Sequence, residues 1–427
     1  MNVKNFFDKD TKVNEAIAEL KKTGISIYGA GKIGERLIAA FNYFEIPIVH
    51  VWDNRFESIS ELLGHKVAPS PEEEGNYDLD TPVFISIFAP LVAEEVKNNL
   101  TQVGFNNIQI DRSFINNLLG QHCLDMDNAG KFNFDLNECM LCPLQKDEYQ
   151  TCSLFDKNII NSKGGNSRQP EDFFVVRSVG LLITSKCNLT CIGCNHLRDH
   201  YSKENNVEIN ADLIISDLHK FLSGVDFLKT LVLVGGEAFL HKSIEKIILE
   251  ILKYPNIGML HIISNGTVVP KDDVIALLDN PRVFVEISGY GSNVGNHLIE
   301  KRNIFFKKMN EHNVNHRYAE YFKWTDFGDF EERSYNEDQI RETYLNCCFV
   351  SNDIFNGEIH KCSRSAYGKF IGVIPDYKED YVNIRECPDG ELRERLKHFF
   401  ADERPRVCNH CNGTNNATID AGVQKRS

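Results

Sequence analysis

The first 122 residues of this chain contain no cysteine, although thirteen occur in the remaining part of its 427 residues. Thiol chemistry is thereby excluded from the N-terminal quarter and concentrated downstream. Long apolar runs are also missing: no stretch reaches the roughly 18 consecutive apolar residues a membrane span requires. Residues 1–10 lack the apolar centre of a signal peptide, so a cytoplasmic protein without a membrane partner is expected. Basic residues are the minority, 47 Lys and Arg against 61 Asp and Glu, for a formal net charge of −14. That balance argues against general affinity for nucleic acid or anionic lipid, because both present phosphate. No internal repeat of fixed period is apparent. In a reducing cytosol, thirteen thiols point to metal rather than disulfides, and the length exceeds one ordinary core, so two or three domains are expected.

The cysteines fall into three groups, and the middle one, Cys187-x3-Cys191-x2-Cys194, directly follows the apolar run of residues 179–184. A four-iron cubane takes four ligands. Three cysteines therefore leave one iron for something else. Zinc is the competing reading, but it usually takes CxxC pairs. The spacing resembles the signature of the radical S-adenosylmethionine (SAM) enzymes. In that family the open iron chelates the amino and carboxylate groups of SAM, and one electron from the [4Fe-4S] cluster cleaves it to methionine and a 5'-deoxyadenosyl radical that removes hydrogen from substrate. The resemblance also implies a parallel α/β barrel with its chemistry at the C-terminal mouth, and an oxygen-poor setting.

Three later turns extend the resemblance. The strand-like run Thr230 to Val234 breaks into Gly235-Gly236-Glu237, which looks like the family's grip on the SAM amino group. A run ending at Ser264 leads into Asn265-Gly266-Thr267, and one ending at Ser288 leads into Gly289-Tyr290-Gly291; the resemblance assigns these places to the SAM ribose and carboxylate. One position departs from the family. The residue before the third cysteine is often an aromatic that packs on adenine, and here it is Gly193. Adenine packing is then expected near Ile192 or from a later apolar side chain.

At the C-terminal end, Cys347-x9-Gly357-x4-Cys362 followed by Cys408-x2-Cys411 resembles the SPASM module in its shortened Twitch form. Gly357 suits a hairpin between residues 353–355 and 358–360. The resemblance implies an auxiliary [4Fe-4S] cluster on Cys347, Cys362, Cys408 and Cys411, with structural zinc on the same thiols as the alternative. Cys348 is a substitute for Cys347 in sequence terms, and Cys348 and Cys387 are candidate hydrogen donors to a substrate radical.

Ahead of the thiols, residues 25–28 read as a strand leading into Gly29-x-Gly31-x-x-Gly34, then a helix with Ile33, Leu37, Ile38 and Phe41 at helical spacing. The next strand delivers Asp53 nineteen residues beyond Gly34, as in a dinucleotide-binding fingerprint. A Rossmann-like domain is expected over residues 1–120, binding a nucleotide or keeping only the fold. Residues 121–172 read as a linker holding Cys123, Cys139, Cys142 and Cys152, for which a third [4Fe-4S] cluster and a structural zinc are both chemically allowed. Within it, residues 154–172 read as a flexible connection.

The expected fold class is α/β: a partial (β/α)6 radical SAM barrel over 173–335, the Rossmann-like domain before it, and a small Twitch-like iron–sulfur domain over 336–427. His196, Tyr290, Arg317 and Tyr318 are candidate pocket liners because they follow strand ends or lie on the next strand. The expected activity is dehydrogenation or epimerisation of a small polyhydroxylated substrate, an activated sugar being one form, with electrons from a flavodoxin-type or ferredoxin-type donor. Maturation of a ribosomal peptide and a non-catalytic iron–sulfur scaffold are the alternatives. Substrate, stereochemical outcome and oligomeric state are not encoded in any motif.

Overall fold

A computed structural model describes residues 13–54, 56–72, 75–87, 90–109, 112–140, 142, 152–162, 173–347, 351–413 and 417–425. The chain divides into two compact units, residues 1–164 and 165–427.

The first unit contains β1 (Ile25–Tyr28), β2 (Ile48–Trp52), β3 (Glu61–Leu62), β4 (His65–Ala68), β5 (Val83–Ile85) and β6 (Ile108–Gln109), in the sheet order β3-β4-β2-β1-β5-β6. All neighbours are parallel except the β3–β4 hairpin. The parallel strands therefore run 3-2-1-4-5, the order of a doubly wound dinucleotide-binding half. Strand alternation explains the two layers. Ile25 and Ile27 of β1 join Leu37, Ile38 and Phe41 of helix Lys32–Tyr43 on one face. Tyr28 turns to the other, with Val96 and Leu100 of helix Pro90–Val103. One expectation fails here: residues 153–162 form a helix rather than a flexible connection, burying Leu154, Phe155 and Ile159. Its Asn and Ser content hides a short apolar face. Residues 163–172 lie outside the described residues.

In the second unit, β7 (Val175–Leu182), β8 (Phe227–Val234), β9 (Ile257–Ser264), β10 (Val283–Gly289) and β11 (His316–Glu320) are parallel neighbours in chain order. Helices Ala211–Ser223, Ile244–Leu252, Asp272–Leu278 and Asn296–Glu311 connect them. They pack as amphipathic helices should. Ile244, Ile247, Ile248 and Ile251, for example, bury one face at three- and four-residue spacing, each contributing roughly 2 kcal/mol of apolar burial.

After β12 (Lys323–Thr325) come β13 (Asp353–Phe355), β14 (Glu358–His360), β15 (Tyr381–Asn383) and β16 (Thr418–Asp420). β13 lies parallel to β7 and supplies a sixth parallel strand, so the sheet reads β11-β10-β9-β8-β7-β13-β14-β15. The 336–427 segment thus extends the barrel's own sheet. β13 and β14 form the expected hairpin, with Asn356 (φ 50°) and Gly357 (φ 83°) both left-handed at its tip, the requirement of a type I′ turn. Among the described residues no helix is long and apolar enough to cross a membrane.

Candidate functional site

β7 feeds a loop that carries Cys187, Cys191 and Cys194, and the turn after β8 seats it. Gly236 N donates to Thr184 O (2.8 Å) and Glu237 N to Lys186 O (2.8 Å). A Cβ on Gly235 would stand 2.5 Å from Thr184 O, and one on Gly236 would stand 2.3 Å from Lys186 O. The two glycines are therefore required by the approach of the loop's own backbone. Glu237 is buried beneath it, accepting from Asn265 N (2.8 Å), Ser264 Oγ (2.9 Å) and Phe239 N (3.2 Å). Burial outweighs those donors and lifts its carboxyl to about 7. Asn265 links this acid to the thiols, its Nδ2 reaching Asn188 Oδ1 (3.1 Å) and Cys187 Sγ (3.7 Å). Ser288 is buried and accompanies Tyr290, which interacts electrostatically with all three thiols.

Each sulfur of the triplet is met by N–H donors. Cys187 Sγ accepts from Leu189 N (3.4 Å), Cys191 Sγ from Gln424 Nε2 (3.1 Å), and Cys194 from the backbone of His196 and Arg198. Burial alone would keep such thiols neutral, and it pushes Cys191 up to about 12. Donors aimed at sulfur are what a thiolate ligand of an iron–sulfur cluster needs, so the residues present fit that group. The Arg198 guanidinium adds a buried positive charge, with Nη1 on Ser185 O (2.9 Å) and Asn206 Oδ1 (2.7 Å). His196, named as a pocket liner, instead braces the loop through Nδ1 to Gly235 O (2.5 Å). Its burial lowers it to about 4, leaving the ring neutral at ordinary pH.

A second segment, far off in sequence, lies across this loop. Ile192 N donates to Val423 O (2.8 Å), Lys425 N to Thr190 O (2.7 Å), and Thr190 N to Gln424 Oε1 (2.8 Å). β16, paired with β12, places Ile419 where a Cβ on Gly193 (φ 67°) would be 2.0 Å from Ile419 Cδ1. That contact and the left-handed backbone account for glycine where the resembled family often has an aromatic ring.

The C-terminal thiols also gather. Cys362 interacts electrostatically with Cys347 and Cys411, and Cys408 with Cys362, Cys411 and Cys347. Backbone donors again face sulfur: Ser365 N to Cys362 (3.4 Å) and Gly413 N to Cys411 (3.4 Å). Arg333 and Arg364 bring positive charge to Cys411. Lys361 is fully buried beside Cys408, its Nζ bonded to Phe399 O and Asp402 O. Cys348 lies outside the described residues. Cys387 is buried in the apolar core, with Sγ directed at Pro388 O (3.6 Å).

In the first unit, Cys123 interacts electrostatically with Cys142, Cys152 and Cys139, and Arg36 adjoins Cys123 and Cys139. Burial foremost raises Cys123 to about 12 and Cys139 to about 11. All twelve described cysteines are free thiols. Among the described residues, no three His, Cys, Asp or Glu groups are placed to hold a single metal ion. The fingerprint turn is tight: a Cβ on Gly34 would be 1.9 Å from Gly29 O, and Gly29 itself has φ 110°. Gly31 caps the following helix, and Asp53 Oδ2 accepts from Ala30 N (2.7 Å), tying the acid to the glycine turn.

On the barrel strands, Leu260 and Ile262 of β9 join the apolar core, so His261 between them projects to the other face. There Glu286 accepts from Arg317 Nε (2.9 Å) and Nη2 (2.5 Å) and from Tyr321 Oη (3.0 Å), with His261 Nε2 beside it at ion-pair distance (3.3 Å). Burial would raise Glu286, but His261 and Arg317 hold its carboxyl down at about 2. Arg317 thus belongs to a polar group spanning three strands. Tyr318 does not: its ring packs on Phe306 (5.6 Å) and under Arg302 (5.1 Å), on the side of helix Asn296–Glu311. Adjacent strand residues face opposite ways, so Arg317 and Tyr318 cannot both line one pocket. Sequence reasoning missed Arg198, Lys361, His261, Glu286, Tyr321 and Gln424. For Arg198 the only signal was a cation four residues after Cys194; the others depend on tertiary neighbours.

No protein-family model matches the chain. Over 90 residues it is 36% identical to a GTP 3',8-cyclase of Clostridium acetobutylicum, covering 21% of this chain and 27% of that protein. The chain thus spans about a quarter of that relative's length. Among solved structures it is similar to BtrN in complex with AdoMet and 2-DOIA, at 14% identity, 58% of this chain, 98% of that chain and a TM-score of 0.38. It is also similar to anSMEcpe with bound AdoMet, at 14% identity, 55% of this chain, 88% of that chain and a TM-score of 0.36. A third is SuiB of Streptococcus suis bound to S-adenosylmethionine, at 14% identity, 60% of this chain, 47% of that chain and a TM-score of 0.27. All three of these solved structures hold S-adenosylmethionine.

Proposed function

We propose that this chain is a radical SAM enzyme acting on a small polyhydroxylated substrate. The observation that carries the reading is one loop holding Cys187, Cys191 and Cys194 under N–H donors from four segments, directly above the Glu237–Asn265 network. In it, the three thiolates hold a [4Fe-4S] cluster, and the Gly235–Glu237, Ser264–Asn265 and Ser288 turns hold SAM. When bound, the cluster supplies the electron that cleaves SAM and yields the 5'-deoxyadenosyl radical. Glu237 suits the amino group of SAM, since a carboxyl poised at about 7 ionises readily beside an ammonium.

Cys347, Cys362, Cys408 and Cys411 would hold an auxiliary [4Fe-4S] cluster, and the chemistry such a group would supply is one-electron oxidation of substrate, which fits dehydrogenation. Epimerisation instead needs a hydrogen donor, the role open to Cys348; Cys387 faces Pro388 in the core and fits it less well. The Glu286, His261, Arg317 and Tyr321 group supports a hydroxyl-rich substrate, since hydroxyls both donate and accept. The fingerprint of the first unit suits the nucleotide of an activated sugar. A small flavodoxin-type or ferredoxin-type protein of the cytosol supplies the electrons.

The test is anaerobic incubation of the reconstituted full chain with SAM and dithionite, beside a variant with Cys187, Cys191 and Cys194 changed to Ala. 5'-Deoxyadenosine is expected only from the intact triplet. Equal yields from both proteins sink the reading. Deuterated nucleotide sugars should pass label to the nucleoside; label from a deuterated peptide would replace the sugar assignment with a peptide one.

A further inference from the structure

Gln424 makes three hydrogen bonds with one carboxamide. Its Oε1 accepts from Thr190 N (2.8 Å), and its Nε2 donates to Cys191 Sγ (3.1 Å) and Gly422 O (2.6 Å). Turning the amide over would set oxygen against a sulfur and a carbonyl, and NH2 against a backbone N–H. Its partners therefore fix its orientation. The segment that carries it is anchored independently: Ile192 N to Val423 O (2.8 Å), Lys425 Nζ to Asp199 O (2.5 Å), and Asn293 Nδ2 to Ala421 O (2.7 Å). Gly422 (φ 71°) lies so close to Tyr290 that a Cβ there would stand 2.3 Å from Tyr290 Cβ.

Building on the assignment of a cluster to the triplet, we propose that residues 417–425 are a strap over the cluster loop and that Gln424 is a positioning residue setting the cluster's reduction potential. The donated N–H stabilises the extra negative charge that the sulfurs carry after one-electron reduction. Hydrogen bonds to the sulfurs and exclusion of solvent are both established controls on cluster potential. The neighbouring Ile419 and Tyr290 keep that side of the loop apolar.

The experiment is an EPR-monitored redox titration of the reconstituted full chain with dithionite. The triplet's signal is identified by its loss when Cys187, Cys191 and Cys194 are all changed to Ala, and by its response to added SAM. Gln424→Leu removes the donor, whereas Gln424→Glu keeps the acceptor for Thr190 N and places an oxygen at Cys191. Both should shift the midpoint to more negative potential, Gln424→Glu further. Lys425→Ala removes an anchor that does not touch sulfur and should leave the midpoint in place. Unchanged midpoints in both Gln424 variants overturn the proposal, as does an equal shift in Lys425→Ala. Iron–sulfur signal undiminished in the triple-alanine chain would instead overturn the cluster assignment itself, a distinguishable failure.

Discussion

At the residue scale, Glu286 illustrates how a charge survives inside a barrel. Its carboxyl, ordinarily near 4.5, is held at about 2 by His261 and Arg317 against the cost of burial. A depressed acid stabilises the fold above its unfolded value, and that contribution is lost as pH falls from about 4.5 through about 2. The span corresponds to roughly 3 kcal/mol at neutral pH. Arg317→Ala should therefore move the acid-unfolding midpoint to higher pH. Because the Arg317 side chain is nearly half exposed, the expected loss at pH 7 is nearer 1–3 kcal/mol than the full value for a buried pair, read by urea denaturation. An acid midpoint that does not move would show that His261 and Tyr321 suffice. None of this was legible in the sequence. Glu286 sat inside an apolar run that only says strand, and its partners come from register with β9 and β11, which spacing along one strand does not encode.

Elements were more readable than their neighbours. The β13–β14 hairpin, the glycine turn after β1 and the four barrel helices all carry local signals: a left-handed Asn-Gly pair, a GxGxxG, apolar residues at three- and four-residue spacing. The lateral place of β13 beside β7 carries none, because residues 353–354 pair with 180–181 across the whole barrel segment. The same holds for β16. Gly193 was legible only as a departure, since the side chain that forbids a larger residue, Ile419, lies on an element with no motif. Gly193→Ala should cost about 1–3 kcal/mol through φ strain and overpacking, and Ile419→Ala should recover the overpacking part. A double-mutant cycle in denaturant checks this: strictly additive losses would mean the two positions do not meet. In the first unit, Gly34→Ala should disrupt the turn against Gly29 O and abolish any nucleotide binding seen by calorimetry. Binding that survives the change would locate the nucleotide elsewhere.

For the whole molecule, three gatherings of free thiols lie in two compact units, one in the first and two in the second. The expected iron content is about eight per chain for the second unit, at about four per cubane, with a further four irons if the first unit's thiols hold a third cluster. Changing Cys408 and Cys411 together to Ala should remove about four irons and leave 5'-deoxyadenosine formation in place, as measured by metal analysis beside the nucleoside assay. Loss of all iron would mean that the two sites of the second unit load as one. The strap across the cluster loop has a last consequence, in time rather than in space. Thr190 and Gln424 are separated by 234 positions, so a ribosome exposes the loop long before its clasp exists, and contacts this distant form late in folding. On the proposed assignment, the thiols of this loop would stand open to delivery of iron and sulfide until residues 417–425 have been made, and the strap would close over them only afterwards.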